Sequence, residues 1–201
     1  MPLSPSPSSP PSSEWSNRDW FHDWFNSPYY ETLYDHRDLT EAKAFVKNLT
    51  SQIPLPEQAD VLDLGCGWGP IALNLGKLRP NAKVWAVDVN TRSVELTQAN
   101  AKSLGISNIT TLLPEQVPAD LRFSGIWSNP PIRIGKKELH ELLLLWLPRL
   151  ETGGEAYLVV QKNLGSDSLQ KWLTEELASG FEVSRYTSIK TYRVLKIKKN
   201  S

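Results

Sequence analysis

Short apolar runs and helical stripes alternate along most of the chain, and each pattern predicts a different element. Apolar runs bounded by turn-forming or charged residues predict buried strands over residues 59–65, 82–90, 108–114, 123–129 and 154–162. Between them, apolar residues recur at helical spacing and predict helices over residues 70–79, 93–105, 136–150 and 168–179. The last stretch, 181–199, is typical of two strands joined by a short turn.

This order of elements predicts the fold class. Strands that alternate with helices form a mostly parallel sheet with helices on both faces, which is an α/β, doubly wound architecture. The turn inside 181–199 is too short for a helical crossover, so the last two strands should pair antiparallel. We therefore expect a seven-stranded, mostly parallel sheet that ends in an antiparallel C-terminal hairpin.

The beginning of the chain differs in composition from the rest. Residues 1–14 are mostly Pro and Ser and cannot bury a core, so we expect a disordered tail there. Residues 15–56 combine many aromatic residues with helical periodicity, which predicts an N-terminal helical cap before a domain over residues 57–201. The aromatic stretch either covers the core or forms a lid over a ligand pocket, with Tyr30 and Tyr34 facing inward.

Composition narrows the class of protein. With 201 residues and a formal net charge of +0, the chain is typical of one globular domain. The single cysteine, Cys66, excludes an intramolecular disulfide and fits a reducing cytoplasm. The histidines lack metal-ligand spacing, so we expect no metal site. No apolar run reaches the ~20 residues of a membrane helix, and the N-terminus lacks the pattern of a secretory signal. We expect a cytoplasmic protein without membrane contacts.

The first predicted strand ends in a glycine-rich turn, DLGCGWGP. Ligands of doubly wound sheets bind beyond the carboxyl ends of the strands, where this turn lies. The spacing is G-x-G-x-G, whereas the dinucleotide fingerprint G-x-G-x-x-G would need a glycine at Pro70, so the turn argues against NAD or FAD. Asp63 offers a carboxylate to a cationic or amino-bearing ligand, and Cys66 suits packing. The glycines that allow close approach to the backbone are Gly65, Gly67 and Gly69.

Two more strand ends carry candidate chemistry. Asp88 follows the second strand, and an acid there can accept both hydroxyls of a ribose, although it also suits the N-cap of the next helix. The fourth strand ends in Asn129-Pro130-Pro131. Two prolines remove two backbone donors and stiffen the chain, so the asparagine amide should be held rigidly for contact.

Together these residues resemble class I S-adenosylmethionine-dependent methyltransferases. VLDLGCGWGP resembles the first motif of that family, VWAVDVN its second, and SNPPI the N-P-P motif of its amino-group members. Further stretches, IWSNPPIRIGK, GGEAYLVVQK and SLQKWL, are similar to small-domain methyltransferases related to the 16S ribosomal RNA guanine-N2 methyltransferase. The resemblance implies a Rossmann-like fold, S-adenosyl-L-methionine as the cofactor, and ribosomal RNA or the small ribosomal subunit as the partner.

The resemblance also implies a role for each motif residue. The cofactor-binding set would be Asp63, Gly65, Cys66, Gly67, Gly69, Asp88, Val89, Glu115 and Asn129. The catalytic set would be Asn129, Pro130 and Pro131, with the Asn129 side-chain oxygen and the Pro130 carbonyl accepting bonds from the target amine. The substrate-binding set would be Ile132, Arg133, Lys136, Tyr30 and Tyr34.

Three functions remain open at this point. Beyond Glu182 the chain carries basic residues and no acidic ones, which suits either a phosphate-rich partner or a solvated edge strand. The leading hypothesis is methylation of a guanine N2 amine in ribosomal RNA. The first alternative is transfer to a protein glutamine or a small molecule, and the second is a catalytically silent binding module.

Overall fold

The computed structural model describes residues 55–189 and 191–200, apart from the side chain of Ile189. The Pro/Ser-rich tail and almost all of the aromatic-rich segment, including Tyr30 and Tyr34, lie outside these ranges, as does Lys190. The predictions made for those residues stay predictions.

The described residues form strands and helices in the predicted order. The strands are β1 (Asp60–Leu64), β2 (Lys83–Val87), β3 (Ile109–Leu112), β4 (Phe123–Ser128), β5 (Leu150–Gln161), β6 (Phe181–Ile189) and β7 (Tyr192–Lys199). The α-helices are α1 (Pro70–Leu78), α2 (Thr91–Ser103), α3 (Lys136–Trp146) and α4 (Ser166–Glu176). Short 3-10 turns occupy Pro114–Gln116, Ile132–Ile134, Leu147–Arg149 and Lys162–Leu164.

The sheet has seven strands in the order β3-β2-β1-β4-β5-β7-β6. The pairs β1–β2, β1–β4, β2–β3 and β4–β5 are parallel, whereas β5–β7 and β6–β7 are antiparallel. The predicted fold class is therefore confirmed, including the C-terminal hairpin. The five strands β1 to β5 are mutually parallel and all end at the same edge of the sheet, which we call the carboxyl edge.

Each face of the sheet buries its own apolar cluster. On one face, helix residues such as Leu139, Leu143 and Leu173 pack with strand residues such as Leu62 and Leu158. The other cluster joins α1 to the opposite face of the strands, with small side chains at many positions, among them Ala72, Leu75, Val61, Val84 and Ala86. Burial on both faces explains why the central strands are apolar runs rather than alternating ones.

Two element boundaries differ from the sequence-based prediction. Helix α3 ends at Trp146 instead of continuing to residue 150, because Pro148 lacks an N–H donor and turns the chain into a 3-10 turn. Strand β5 begins at Leu150, earlier than predicted, because a register shift opposite β4 accommodates Gly153 at φ 81°. Residues 150–153, which precede the predicted strand, thus form an irregular first part of β5.

A tight contact of α1 generates a stability prediction. A methyl group on Gly76 would lie 2.8 Å from Ile106 Cγ2 and 2.9 Å from Ile109 Cγ1. Alanine is favoured over glycine in helices by about 1 kcal/mol, but overpacking a filled contact costs about 1–3 kcal/mol. We expect Gly76→Ala to lower the free energy of unfolding by about 1 kcal/mol in urea denaturation. The exposed control Lys77→Ala should change it by less than about 0.5 kcal/mol, and a gain for Gly76→Ala would contradict the prediction.

Candidate active site

The glycine turn, residues 65–69, connects β1 to α1 at the carboxyl edge. The N–H groups of Gly65 and Cys66 both donate to the carbonyl of Val87, at 2.8 and 3.1 Å, so the turn is bonded to the end of β2. Gly65, Gly67 and Gly69 have φ values of 76°, 57° and 89°, a region that side chains other than glycine rarely adopt. The local conformation therefore requires glycine at each of these positions.

The three glycines differ in what surrounds them. A Cβ added to Gly65 or Gly67 would meet no atom of the described residues within 4 Å, so among these residues both face open space at the carboxyl edge. A Cβ on Gly69 would lie 2.7 Å from Thr97 Cγ2, so this position is closed by helix α2. Gly65 and Gly67 offer backbone to a ligand, whereas Gly69 is needed for the packing of α2 on the turn.

Asp63 lies beneath the turn and is 1% exposed. Its Oδ2 accepts a hydrogen bond of 2.9 Å from the N–H of Ala72, in the first turn of α1. Burial, together with the nearby Asp88 carboxylate, raises the pKa of Asp63 from 3.8 to about 7, and the bond from Ala72 opposes this shift only in part. The carboxyl group thus joins β1 to α1 within the chain, and its contact with a ligand stays a prediction.

Asp88 links the glycine turn to helix α2. Its Oδ2 accepts from the N–H of Gly67 and its Oδ1 from the N–H of Asn90, both at 2.9 Å. The N-cap of α2 is Asn90, whose side chain accepts from Arg92 N, so the structure does not give Asp88 the capping role. Burial raises the pKa of Asp88. A carboxylate has about four lone-pair sites, so Asp88 retains capacity for further donors.

The segment of residues 129–131 follows β4 at the same edge. Ser128 Oγ donates to the carbonyl of Leu64 at 2.8 Å, which holds the end of β4 against the start of the glycine turn. Pro131 has φ −74° and ψ 76°, and the N–H of Ile132 donates to the carbonyl of Pro130 at 2.8 Å. This is an inverse γ-turn. Pro130 is buried while Asn129 is exposed, so a rigid turn presents the amide at the carboxyl edge.

The positive charge nearest to this segment comes directly after it. Arg133 and Lys136 are exposed, and Lys137 is exposed with an ion pair to Glu141 at 3.9 Å. Ile132 is half-buried and packs against the apolar core, so only part of its side chain is open to a ligand. The geometry brings Ile132, Arg133 and Lys136 to the carboxyl edge beside Asn129.

The described basic residues near the C-terminus lie on β6 and β7 and do not follow Asn129 as Arg133 and Lys136 do. Arg185 and Arg193 both form ion pairs with Asp167, and Lys196 pairs with Glu155. Strand β7 lies inside the sheet, between β5 and β6, and runs away from the carboxyl edge. Three of these basic residues are therefore engaged in ion pairs with carboxylates of the chain. Arg193, which is paired with Val160 in the sheet, still lies near the carboxyl edge.

The remaining predicted positions lie along the same edge of the sheet. Val89 directly follows Asp88 and is 73% exposed, which is unusual for valine. Glu115 is exposed in the 3-10 turn after β3. Cys66 is buried in the apolar cluster on the α1 face, as expected for a packing residue, and burial raises the pKa of its thiol.

The sequence analysis did not predict three residues whose side chains hold the carboxyl edge together: Ser128, Thr97 and Asn100. Ser128 carried no signal beyond its place before Asn129. Thr97 and Asn100 lie three residues apart in α2, which places them on one face of the helix. Thr97 Oγ1 donates to the carbonyl of Gly67, and Asn100 Nδ2 donates to the carbonyl of Trp68, both at 3.0 Å. Polar residues three apart in an amphipathic helix were the available signal.

A metal-binding cluster and a membrane-spanning helix are both absent from the described ranges. Within residues 55–189 and 191–200, no group of three or more His, Cys, Asp or Glu side chains could hold a metal ion. Among the helices of the same ranges, none has the length and apolarity needed to cross a membrane.

The buried carboxyl of Asp63 generates a pH prediction. Its folded-state pKa of about 7 lies above its ordinary value of 3.8, so the unfolded chain binds fewer protons between these values. Stability contributed by this group is therefore lost as the pH rises through that window. Asp63→Asn keeps an oxygen acceptor for Ala72 and removes the titration. Relative to the wild type, the variant should gain stability with pH, by roughly 3 kcal/mol between pH 5 and pH 8.

The measurement is urea denaturation of both proteins from pH 5 to pH 8. A difference between them that stays constant across this range would contradict the raised pKa of Asp63.

Comparison with known proteins agrees with this geometry. The family model described as methyltransferase small domain matches residues 35–196. The uncharacterized protein YbxB of Bacillus subtilis is 38% identical over 145 residues, which is 71% of this chain and 71% of that protein. A release factor glutamine methyltransferase of Flavobacterium psychrophilum is 28% identical over 186 residues, so the match covers 86% of this chain but only 63% of the relative.

A solved structure shows the same fold at low identity. The crystal structure of magnesium protoporphyrin IX methyltransferase from Synechocystis, with bound S-adenosylmethionine, has a TM-score of 0.68 and 16% identity, over 90% of this chain and 96% of that one. The family model spans most of the chain, and its residues include the glycine turn, Asp88 and Asn129. The chain belongs to the methyltransferase small domain family, and it is an S-adenosylmethionine-dependent methyltransferase.

Proposed function

We propose that this protein methylates the exocyclic N2 amine of a guanine in ribosomal RNA. The observation that carries the proposal is the exposed amide of Asn129 on a rigid turn, bonded through Ser128 to the end of β1. The glycine turn begins at that same end, so an amine held by Asn129 lies beside the proposed cofactor site. The single free cysteine and an RNA acceptor both fit a cytoplasmic enzyme.

The residues at the carboxyl edge fit S-adenosylmethionine. Open space beside Gly65 and Gly67 allows a ligand to reach the backbone, and Asp88 has lone pairs left for ribose hydroxyls. The exposed side chain of Val89 offers an apolar surface next to that carboxylate, and Glu115 lies at the end of the neighbouring strand. When bound, the cofactor supplies an electrophilic methyl group on a sulfonium.

Asn129 supplies the polar contact that the target amine requires. The lone pair of an exocyclic guanine amine is delocalised into the ring, so the nitrogen must be oriented and its developing positive charge stabilised. The side-chain oxygen of Asn129 accepts one N–H bond. The Pro130 carbonyl, which already accepts from Ile132, keeps a second lone pair for the other. Pro131 holds both acceptors in place, so they need not reorganise during the reaction.

The segment after Asn129 would contact the rest of the substrate. The open part of Ile132 provides apolar contact to a base, and Arg133 and Lys136 provide charge for its phosphates. A base in folded RNA must leave its stack to reach such a pocket. Tyr30 and Tyr34 lie outside the described residues, and their contact with the substrate stays a prediction from the sequence.

A second acceptor is favoured by the sequence relatives. The F. psychrophilum protein is a release factor glutamine methyltransferase, and the chain covers 63% of its length. A glutamine amide, like the guanine amine, is a planar NH₂ group with a delocalised lone pair. The same two acceptors, Asn129 and Pro130, suit it equally. The basic residues Arg133 and Lys136 favour RNA over protein as the acceptor.

The direct test measures methyl transfer from radiolabelled S-adenosylmethionine to small ribosomal subunits, extracted ribosomal RNA and purified release factor. We expect label in RNA that digests to N2-methylguanosine. Asn129→Ala should lower the rate by about 100-fold or more, because it removes a preorganised contact to the transition state. Asn163→Ala, an exposed asparagine after β5 on the same edge, is the matched control and should retain the wild-type rate.

The other outcomes separate the alternatives. Label confined to release factor would overturn the RNA acceptor and support the glutamine amide. Cofactor binding without label in any fraction would overturn both acceptors and support a silent binding module. An unchanged rate in Asn129→Ala would remove this residue from the mechanism whatever the acceptor.

The charge beside Asn129 generates a separate prediction. Replacing Arg133 and Lys136 together by alanine should raise KM for RNA and lower the slope of log affinity against log salt by about 1–2, because phosphate contacts release counterions. The matched control is Lys77→Ala with Lys102→Ala, two exposed cations in the last turns of α1 and α2. Equal salt slopes in the two double variants would contradict phosphate contact by Arg133 and Lys136.

A further inference from the structure

We infer that Thr97 and Asn100 of helix α2 are positioning residues, which set the glycine turn in the conformation that binds the cofactor. The inference rests on the cofactor site proposed above and is independent of the acceptor. Neither side chain reaches the open side of the turn. Both act on its carbonyls from the side that packs on α2.

Thr97 uses both branches of its side chain. It is 0% exposed, its hydroxyl donates to the carbonyl of Gly67 at 3.0 Å, and its methyl fills the space beside Gly69. Cys66 Sγ lies 3.7 Å from the same hydroxyl, within hydrogen-bonding distance for sulfur. A single buried threonine therefore contacts three residues of the turn, Cys66, Gly67 and Gly69, and two of these contacts are polar.

Asn100 adds a second bond one turn further along α2. Its Nδ2 donates to the carbonyl of Trp68 at 3.0 Å, so the helix holds two successive carbonyls of the glycine turn. The N–H of Gly67 is bonded to Asp88 on the other side. Gly67 is thus held at both of its polar backbone groups, by Asp88 through its N–H and by Thr97 through its carbonyl.

These bonds compensate for the conformational freedom of glycine. A turn with glycines at three alternate positions loses more backbone entropy on ordering than other sequences do. A ligand that binds an unordered turn must supply that ordering itself, which weakens its apparent affinity. The side chains of α2 order the turn before the ligand arrives, while Gly65 and Gly67 stay open to it.

The experiment measures the Kd of S-adenosylmethionine by calorimetry, without acceptor, for Thr97→Val and Thr97→Ser. Valine keeps the shape but removes the hydroxyl donor, which leaves the Gly67 carbonyl with only the weak Cys66 thiol at 3.8 Å, so we expect Kd to rise about tenfold. Serine keeps the hydroxyl and should restore Kd to within about threefold of the wild type.

A matched control separates positioning from lost stability. Ala101→Gly lies in the same helix at a buried position, has no hydrogen bond to the turn, and weakens the helix through backbone entropy. It should lower Tm as Thr97→Val does, while leaving Kd unchanged. Asn100→Ala is a second test at a half-buried position that is easier to vary without unfolding the protein, and it should raise Kd by several-fold.

The opposite results would overturn the inference. Wild-type Kd in both Thr97→Val and Asn100→Ala would show that the turn orders itself without α2. If Thr97→Ser did not restore the Kd, the hydroxyl would not be the group that positions the turn. If Ala101→Gly raised the Kd as Thr97→Val does, α2 would affect binding only through the stability of the fold. Each result is read from cofactor binding alone, so the proposed RNA acceptor can fail while the positioning role stands.

Discussion

The register of the three central strands determines where the chemistry can occur. Leu64 of β1 is paired in parallel with Val87 of β2 on one side and with Ser128 of β4 on the other. The three strands therefore end level with one another, and the next residues are Gly65, Asp88 and Asn129. Hydrogen bonds then join these strand ends directly, from Gly65 to Val87 and from Ser128 to Leu64. A shift of one residue in either pairing would separate the groups and turn their side chains to the other face.

Much of this arrangement could be predicted from the sequence. The alternation of strands and helices predicts the parallel sheet, and the rule that ligands bind beyond the carboxyl ends of strands brings the glycine turn, Asp88 and Asn129 to one place. The glycine spacing also excludes a dinucleotide fingerprint. These predictions depend on local patterns and on a general property of the fold, and neither requires knowledge of particular side-chain contacts.

The supporting contacts could not be predicted in this way, because they join residues far apart in the chain. Thr97 bonds to Gly67 thirty positions earlier, and Ser128 to Leu64 sixty-four positions earlier. The three glycines look alike in the sequence, yet only Gly69 is closed by another element. The sequence left open whether the basic residues near the C-terminus serve a phosphate-rich partner or a solvated edge strand. In the structure most of the described ones lie on the inner strand β7, and Asp167 and Glu155 form ion pairs with three of the basic residues. Such contacts depend on the three-dimensional packing.

The turn at Pro131 also restricts the kind of group that the site can select. Pro130 and Pro131 have no backbone N–H, and the N–H of Ile132 is already bonded to the carbonyl of Pro130. From Pro130 to Ile132 the main chain therefore presents lone pairs and no free hydrogen. A group that can donate two hydrogens finds complementary partners there, whereas a carboxylate or a carbonyl oxygen meets only like partial charges. The two prolines thus make the main chain of this segment complementary to hydrogen-bond donors and not to acceptors, which is the selectivity that the proposed amine acceptor needs.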